Sequence, residues 1–311
     1  MKRILLTVAY DGTGYSGFQA QKSGVPTIEG ELNRALTELT GTAVEVSGAS
    51  RTDAGVHALC NLAVFDTQSR IPPEKFASAL NVRLPAQICV QCSREVPAGF
   101  HPRFCDTVKT YEYVIYNARF PSPRRSRFTC YAYTPFDVGR MAEAARYLAG
   151  EHDFKSFCSI HTQALTTVRT ITEIEVLERP CGQERTARRV TEDIPFEPAA
   201  AAGIGEAGDR GPDSSRGKEV PPREIVIRVS GTGFLYNMVR IIAGTLMEVG
   251  RGAVSPDEMP RILEACDRSA AGPTAPPEGL TLVGYRFLSA KAGKESPGSA
   301  SGCPEAETAG A

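Results

Sequence analysis

Ala49-Ser50-Arg51-Thr52-Asp53-Ala54-Gly55-Val56-His57-Ala58 gathers an arginine, an aspartate and a histidine within a few residues. A carboxylate such as Asp53 can act as nucleophile or base if its ionised form is stabilised, and Arg51 is near enough in sequence to help. The plainer alternative is an Asx-turn, with Asp53 capping its own backbone and Gly55 at the turn position. Hydrolysis of a glycosidic bond would need a second carboxylate. The nearest in sequence, Glu45 and Asp66, fall on expected strands with no evident pairing to Asp53. Three further segments carry unusual combinations. Tyr10-Asp11-Gly12-Thr13-Gly14-Tyr15-Ser16-Gly17-Phe18-Gln19 is a polar loop with interleaved aromatics, whose glycines could approach a phosphate. Lys109-Thr110-Tyr111-Glu112-Tyr113-Val114-Ile115-Tyr116 reads as a strand with Tyr111 and Tyr113 on one face and Tyr116 on the other. Such a stripe is either sheet core or a platform for bases. Phe234-Leu235-Tyr236-Asn237-Met238-Val239-Arg240 places one arginine in an otherwise apolar run. A buried Arg240 would need a carboxylate or phosphate partner; a helix-end arginine lying on apolar neighbours would not.

The elements that must position these residues follow from periodicity. Ile4, Leu6 and Val8 alternate as a strand over 2–10. Thr27 can cap a helix through Ile28, Leu32, Leu36 and Leu39, stopped by Gly41. Val44 and Val46 begin a second strand, Leu62 and Val64 mark a third, Phe76 and Leu80 a helix from about Pro72, and Ile88 to Cys92 a fourth strand. The segment around Asp53 therefore falls in a loop between strands. The same kinds of element recur. Strands are expected at Val108–Tyr116, Val168–Leu177, Glu224–Ser230 and Leu282–Leu288, with a helix from Asp137 to Gly150 and an apolar helix over Phe234–Val249. Ser255-Pro256-Asp257-Glu258 looks like a capping box, blemished by Pro260. The fold expected is α+β, in two similar halves, each a mainly antiparallel sheet with helices on one face, enclosing a central cleft. The boundary is placed near residue 105, giving domains 1–105 and 106–290. Segment 180–222, rich in Ala, Gly, Pro and charge, reads as a disordered insertion, and 291–311 as a disordered tail.

Composition narrows the function classes. No stretch of the 311 residues approaches the roughly 20 apolar residues of a membrane span. Thr7 and Asp11 interrupt what would otherwise start like a signal peptide, so a first strand and a cytoplasmic location are expected. The nine cysteines suit free thiols in a reducing compartment. Cys89 and Cys92 are expected on opposite faces of a strand, and no second pair completes a zinc set, so no metal is expected. The formal net charge is −1, but 180–222 holds six Lys+Arg against eight Asp+Glu and 289–311 two against three. Without them the remainder carries +2 (−1 + 2 + 1), compatible with phosphate contacts. Arg119-Phe120-Pro121-Ser122-Pro123-Arg124-Arg125-Ser126-Arg127 suits either an RNA backbone or a solvated turn.

Together the quoted segments resemble the TruA family of tRNA pseudouridine synthases. Ser50 to Ala58 is similar to its catalytic-loop motif, and Tyr10-Asp11-Gly12 with Gly17-Phe18-Gln19 to its opening motif. Phe100-His101-Pro102-Arg103-Phe104, Lys109 to Tyr113, Gly233 to Arg240 and Ala271 to Leu280 follow in the family's order. Ser50 stands where glycine is usual, and Phe18 where tryptophan is more common. The resemblance implies the pseudouridine synthase fold and isomerisation of uridine to pseudouridine in tRNA, at positions 38, 39 and 40 of the anticodon arm. It also implies a homodimer as the working form. The reaction imports no group and oxidises nothing, so no cofactor is implied. Asp53 would be the catalytic carboxylate, Arg240 its ion-pair partner, and Tyr111 the residue against the uracil. Arg51 would fill the space of the displaced base or bind phosphate. The rival within this resemblance is a catalytically silent RNA-binding protein of the same fold.

Overall fold

The computed structural model describes residues 1–160, 162, 164–181 and 222–288. The expected insertion at 180–222, save Pro180, Cys181 and Pro222, lies outside the described residues, as does the tail 291–311. In chain order the elements are β1 (Lys2–Tyr10), α1 (Ile28–Thr40), β2 (Ser47–Gly48), β3 (His57–Thr67), α2 (Phe76–Asn81), β4 (Ile88–Val96), β5 (Thr107–Asn117), β6 (Cys130–Ala132) and α3 (Val138–Arg146). There follow β7 (Gly150–Asp153), β8 (Val168–Pro180), β9 (Arg223–Gly231), α4 (Met238–Gly250), α5 (Met259–Glu264) and β10 (Leu280–Phe287).

All ten strands belong to one sheet, in the order β4-β1-β3-β10-β5-β9-β8-β7, with β2 beside β3 and β6 beside β5. Pairing is antiparallel except at β10–β3 and β5–β6. The two expected halves are recognisable, but their sheets are continuous. β10, the last strand, lies between β3 of the first half and β5 of the second. Tyr111 on β5 faces Leu282 on β10, which in turn pairs with Ala58 at the start of β3. This seam brings the Asp53 loop and the Tyr111 strand to the same place.

Local sequence explains most elements. Thr27 accepts from the Gly30 amide, and Gly41, at φ 70°, closes α1 by donating to Thr37 O. The helix buries Ile28, Leu32, Ala35 and Leu36, which are spaced for one face. Four expectations are corrected. Val44 and Val46 are buried but not in a strand; β2 is only Ser47–Gly48. The helix expected from Asp137 to Gly150 stops at Arg146, and Gly150 opens β7 at φ 108°. The apolar run 234–249 is not one helix. Asn237 takes the left-handed conformation, φ 63°, so α4 starts at Met238 and 234–237 is a loop. The expected capping box does not form, because Ser255 makes no side-chain cap and Pro256–Glu258 is a 3₁₀ turn. Pro260 then falls in the first turn of α5, where no helical amide bond is lost.

Cys89 and Cys92 also depart from expectation. β1 and β4 slip by a residue between Thr7 and Val8, which flips the alternation of β4. Its buried side chains are Ile88, Val90 and then Ser93, so both cysteines belong to the outer face.

α4 is buried along almost its whole length and packs on α3 and β5. Gly244 lets the loop at 273–275 cross it closely: a Cβ there would sit 1.8 Å from Pro273 O. Gly244→Ala should therefore destabilise the protein by about 1–3 kcal/mol, read as a fall in thermal midpoint. It should also displace Ala275, whose carbonyl accepts from Arg240 Nε at 2.8 Å. An unchanged midpoint would show that the loop yields freely.

Candidate active site

The Asp53 loop is held from three sides. Its backbone turns through a Val56 N–H bond to Asp53 O at 3.2 Å, with Gly55 at φ 76°. The turn is therefore made by backbone, not by the Asp53 side chain, and the Asx alternative does not apply. The loop at 11–19 supports it from outside. Phe18 N donates to Thr52 O at 3.1 Å and Gly55 N to Tyr15 O at 3.2 Å. Gly12 is needed for this approach, since a Cβ there would meet Val56 O at 2.1 Å. The glycine considered for phosphate contact instead packs backbone against backbone.

Beneath the loop lies a buried polar network. Asn61, fully buried on β3, accepts from Ser50 N at 3.3 Å and donates to Ser50 O at 2.9 Å. It also donates to the Tyr10 hydroxyl at 3.1 Å, which bonds Thr52 Oγ1 at 2.7 Å. Ser50 Oγ bonds the Tyr285 hydroxyl on β10, and Tyr285 reaches Asn61 Oδ1 at 3.3 Å. Residues 50 and 52 are thus fixed on either side of Arg51, and Asp53 follows directly. Ser50, unusual for the family it resembles, spends its hydroxyl on this network.

Asp53 is mostly buried at 15% side-chain exposure, and its Oδ2 lies 3.6 Å from Arg240 Nη1. Burial pushes its carboxyl above the usual carboxylate range, and the Arg240 charge and hydrogen bond pull it partly back. Arg240 is held for this task. Its Nε donates to Ala275 O at 2.8 Å and its Nη1 to Asn237 Oδ1 at 2.9 Å. Arg240 sits in the first turn of α4, where the helix dipole disfavours a cation and favours an anion, so the dipole adds to its need for acceptors. The left-handed Asn237 both starts the helix and supplies one of those acceptors.

A cleft of about 590 Å³ opens in front of Asp53, lined by Arg51, Tyr111 and the 233–239 loop among others. Tyr111 is buried at 8% exposure, with Phe234 edge-on to its ring at 5.1 Å between centroids. Burial pushes its phenol up; Ser50 opposes the shift and the Asp53 charge adds to it. The structure thus brings Asp53, Arg240 and Tyr111 together. Arg51 lines the same cleft but is exposed and makes no ion pair with Asp53, so its expected help to that carboxylate is not seen. Asp66 is taken by Arg3, through bonds of 2.8 and 2.6 Å, and Glu45 is exposed outside any strand; among the described residues that line the cleft, Asp53 is the one carboxylate. In the arginine-rich loop, Arg125 pairs with Glu224 and Arg127 Nη1 lies 3.7 Å from Asp11 Oδ2, while Arg124 is exposed.

Sequence reasoning assigned no role to Asn61, Asn237, Lys109 or Arg103. Asn61 was visible as the one amide in the apolar strand His57–Phe65. Lys109 was visible two residues from Tyr111, on its face of the strand. Asn237 carried no such mark.

A family model described as tRNA pseudouridine synthase matches residues 6–105 and 144–287, which include Asp53 and Arg240. Tyr111 lies in the gap between the matched stretches. Among curated relatives, the tRNA pseudouridine synthase A of Brevibacillus brevis is 42% identical over 282 residues, covering 91% of this chain and 98% of its own. The proteins of that name from Acetivibrio thermocellus and Caldicellulosiruptor bescii are 40% and 38% identical at the same coverage. With the family model matching most of the chain and relatives aligned almost end to end, the chain belongs to the tRNA pseudouridine synthase family.

Proposed function

We propose that this protein converts uridine to pseudouridine in tRNA with Asp53 as the catalytic carboxylate. The observation that carries the residue assignment is the Asp53–Arg240 pair at 3.6 Å, at the wall of a cleft that also exposes Tyr111. The reaction breaks the bond between C1′ and N1 of uridine and joins C1′ to C5. A proton leaves C5 and one arrives at N1, so nothing is oxidised. Asp53 serves by attacking C1′ or by taking a proton from the ribose, and both routes need it ionised. Arg240 favours that form. Burial opposes it, which makes the carboxylate more basic and more reactive than one in water. Tyr111, which lines the same cleft, stacks on or sits beneath the uracil and assists proton movement at C5. The uridine must leave its stack to reach them, at a cost of a few kcal/mol. Arg51, exposed at the mouth of the cleft, is placed to enter the vacated stack or to hold a phosphate. The anticodon arm, positions 38, 39 and 40, a homodimer and a cytoplasmic location complete the reading. No helix among the described residues is long and apolar enough to cross a membrane, which agrees with the last of these.

The decisive experiment incubates purified protein with unmodified tRNA transcript and maps pseudouridine. Asp53→Asn should lose at least about 10³-fold in turnover. It should keep tRNA binding and be at least as stable as the parent, because burial disfavours the charge it removes. Retained turnover would refute the assignment. Asp53 must be ionised and its folded pKa is raised, so turnover should fall with decreasing pH sooner than for an ordinary aspartate. Arg240→Met removes the group that lowers that pKa. It should cut the rate on the order of 10²-fold and move the acid limb of the pH–rate profile to higher pH. A limb that stays in place while the rate falls would make Arg240 structural only.

A further inference from the structure

We propose that Lys109, Arg103 and Arg51 form a phosphodiester subsite in the cleft, which takes an RNA backbone phosphate next to the target uridine. The inference rests on the reading of Tyr111 as the residue against the uracil.

The cleft is lined by four cations, Arg51, Arg103, Lys109 and Arg169, against one carboxylate, Asp53. Arg240, the partner of Asp53, is not part of that lining. Three of the four cations converge without an anion. Lys109 makes no hydrogen bond or ion pair with the described residues; its Nζ only overlies the buried Tyr285 ring, 5.8 Å from the centroid. Arg103 spends one nitrogen on Gly48 O at 2.8 Å and keeps its other donors. Arg51 is exposed and unpaired among the described residues. Glu29, on which the Arg103 and Arg51 charges act, lies outside the cleft lining, and its Oε2 accepts from the Ala20 amide at 2.6 Å. Arg169 differs, being tied to Thr166 O and Val168 O at 2.9 and 2.6 Å.

Like charges held together in a partly dry wall oppose one another, and their protonated forms suffer. Burial pushes the Lys109 ammonium down, and the Arg103 charge pushes it further. Arg103 is in turn lowered by burial and by Arg51. An anion bridging them removes both penalties, and arginine and lysine donors are the ordinary ligands of a phosphate. Position selects the phosphate. Lys109 is two residues before Tyr111 on the same face of β5, about 7 Å along the strand. That is one step along the substrate from a base at Tyr111 to the backbone beside it.

The test separates binding from turnover by working in the Asp53→Asn background. Dissociation constants of an unmodified anticodon-arm RNA are measured against KCl concentration. Adding Lys109→Met should weaken binding about tenfold near 0.1 M salt and flatten the slope of log K against log salt by about 0.7–0.9. Lys109→Arg should restore both, and Lys75→Met, an exposed lysine elsewhere, should change neither. A neutral methylphosphonate at one of the two phosphates flanking the target uridine should reproduce the loss, and should cost nothing further in the Lys109→Met protein. In the catalytic parent, Lys109→Met should raise KM and keep kcat. Its thermal midpoint should hold or rise, because the lysine it removes has no partner to lose. An unchanged salt slope, losses that add at both phosphates, or a fall in kcat with binding intact would overturn the subsite. Turnover by Asp53→Asn itself would instead overturn the catalytic reading, and the binding comparison would still decide the subsite.

Discussion

Asp53 is a mostly buried carboxylate, and among the described residues its one ionic partner comes from far along the chain. Asp53 sits in the loop before β3 and Arg240 in the first turn of α4, 187 positions later (240 − 53). Neither half therefore holds a finished site. The pair forms only if the sheet is continuous across its middle, if α4 starts where it does, and if the 273–275 loop lies tight against Gly244. The seam, the left-handed Asn237 and the glycine crossing are separate features of the fold with one shared consequence: they fix the distance between one carboxylate and one guanidinium.

The network under the catalytic loop follows the same logic with neutral groups. Ser50, Asn61, Tyr10, Thr52 and Tyr285 are all buried, and a buried polar group without a partner is costly. Here each finds partners, and the cost of any other loop conformation becomes the cost of breaking several of those bonds at once. The position of Asp53 is thus set by buried neutral groups on either side of it. The cleft wall shows the opposite balance. Lys109 and Arg103 are left short of partners, which lowers the stability of the empty protein and leaves room for a ligand to restore it.

Much of this was legible in the residues. β1, α1, β3, β4, β5 and β9 announce themselves through alternation or a 3.6-residue period, and Thr27 and Gly41 bound α1 as their chemistry requires. Asp53, Tyr111 and Arg240 were singled out by the resemblance of their segments to family motifs; by residue type alone each had a plainer structural reading. What could not be read is non-local or depends on a single dihedral. β2, β6 and β7 are two to four residues long, too short for a period to register. The helix onset at Met238 turns on one positive φ in a run whose apolar pattern continues unbroken. The faces of Cys89 and Cys92 depend on a register slip against β1, which no property of β4 alone reveals. The bond between Ser50 and Tyr285 joins residues 235 positions apart. Arg51 makes no ion pair with Asp53 although it is two residues away, because adjacency along a loop does not fix side-chain direction; it lines the cleft instead.

The placement of β10 has a temporal meaning. A ribosome delivers the chain from its first residue, and β3 and β5 are complete long before Leu280 emerges. Until then the two strands have no common neighbour, and their facing edges stay unpaired. The central strand of the sheet is the last to be made. Its pairing with β3 and β5 is long-range, a kind of contact that forms slowly. A nascent chain that has made β3 and β5 but not β10 does not yet hold the Asp53 loop and the Tyr111 strand in one sheet.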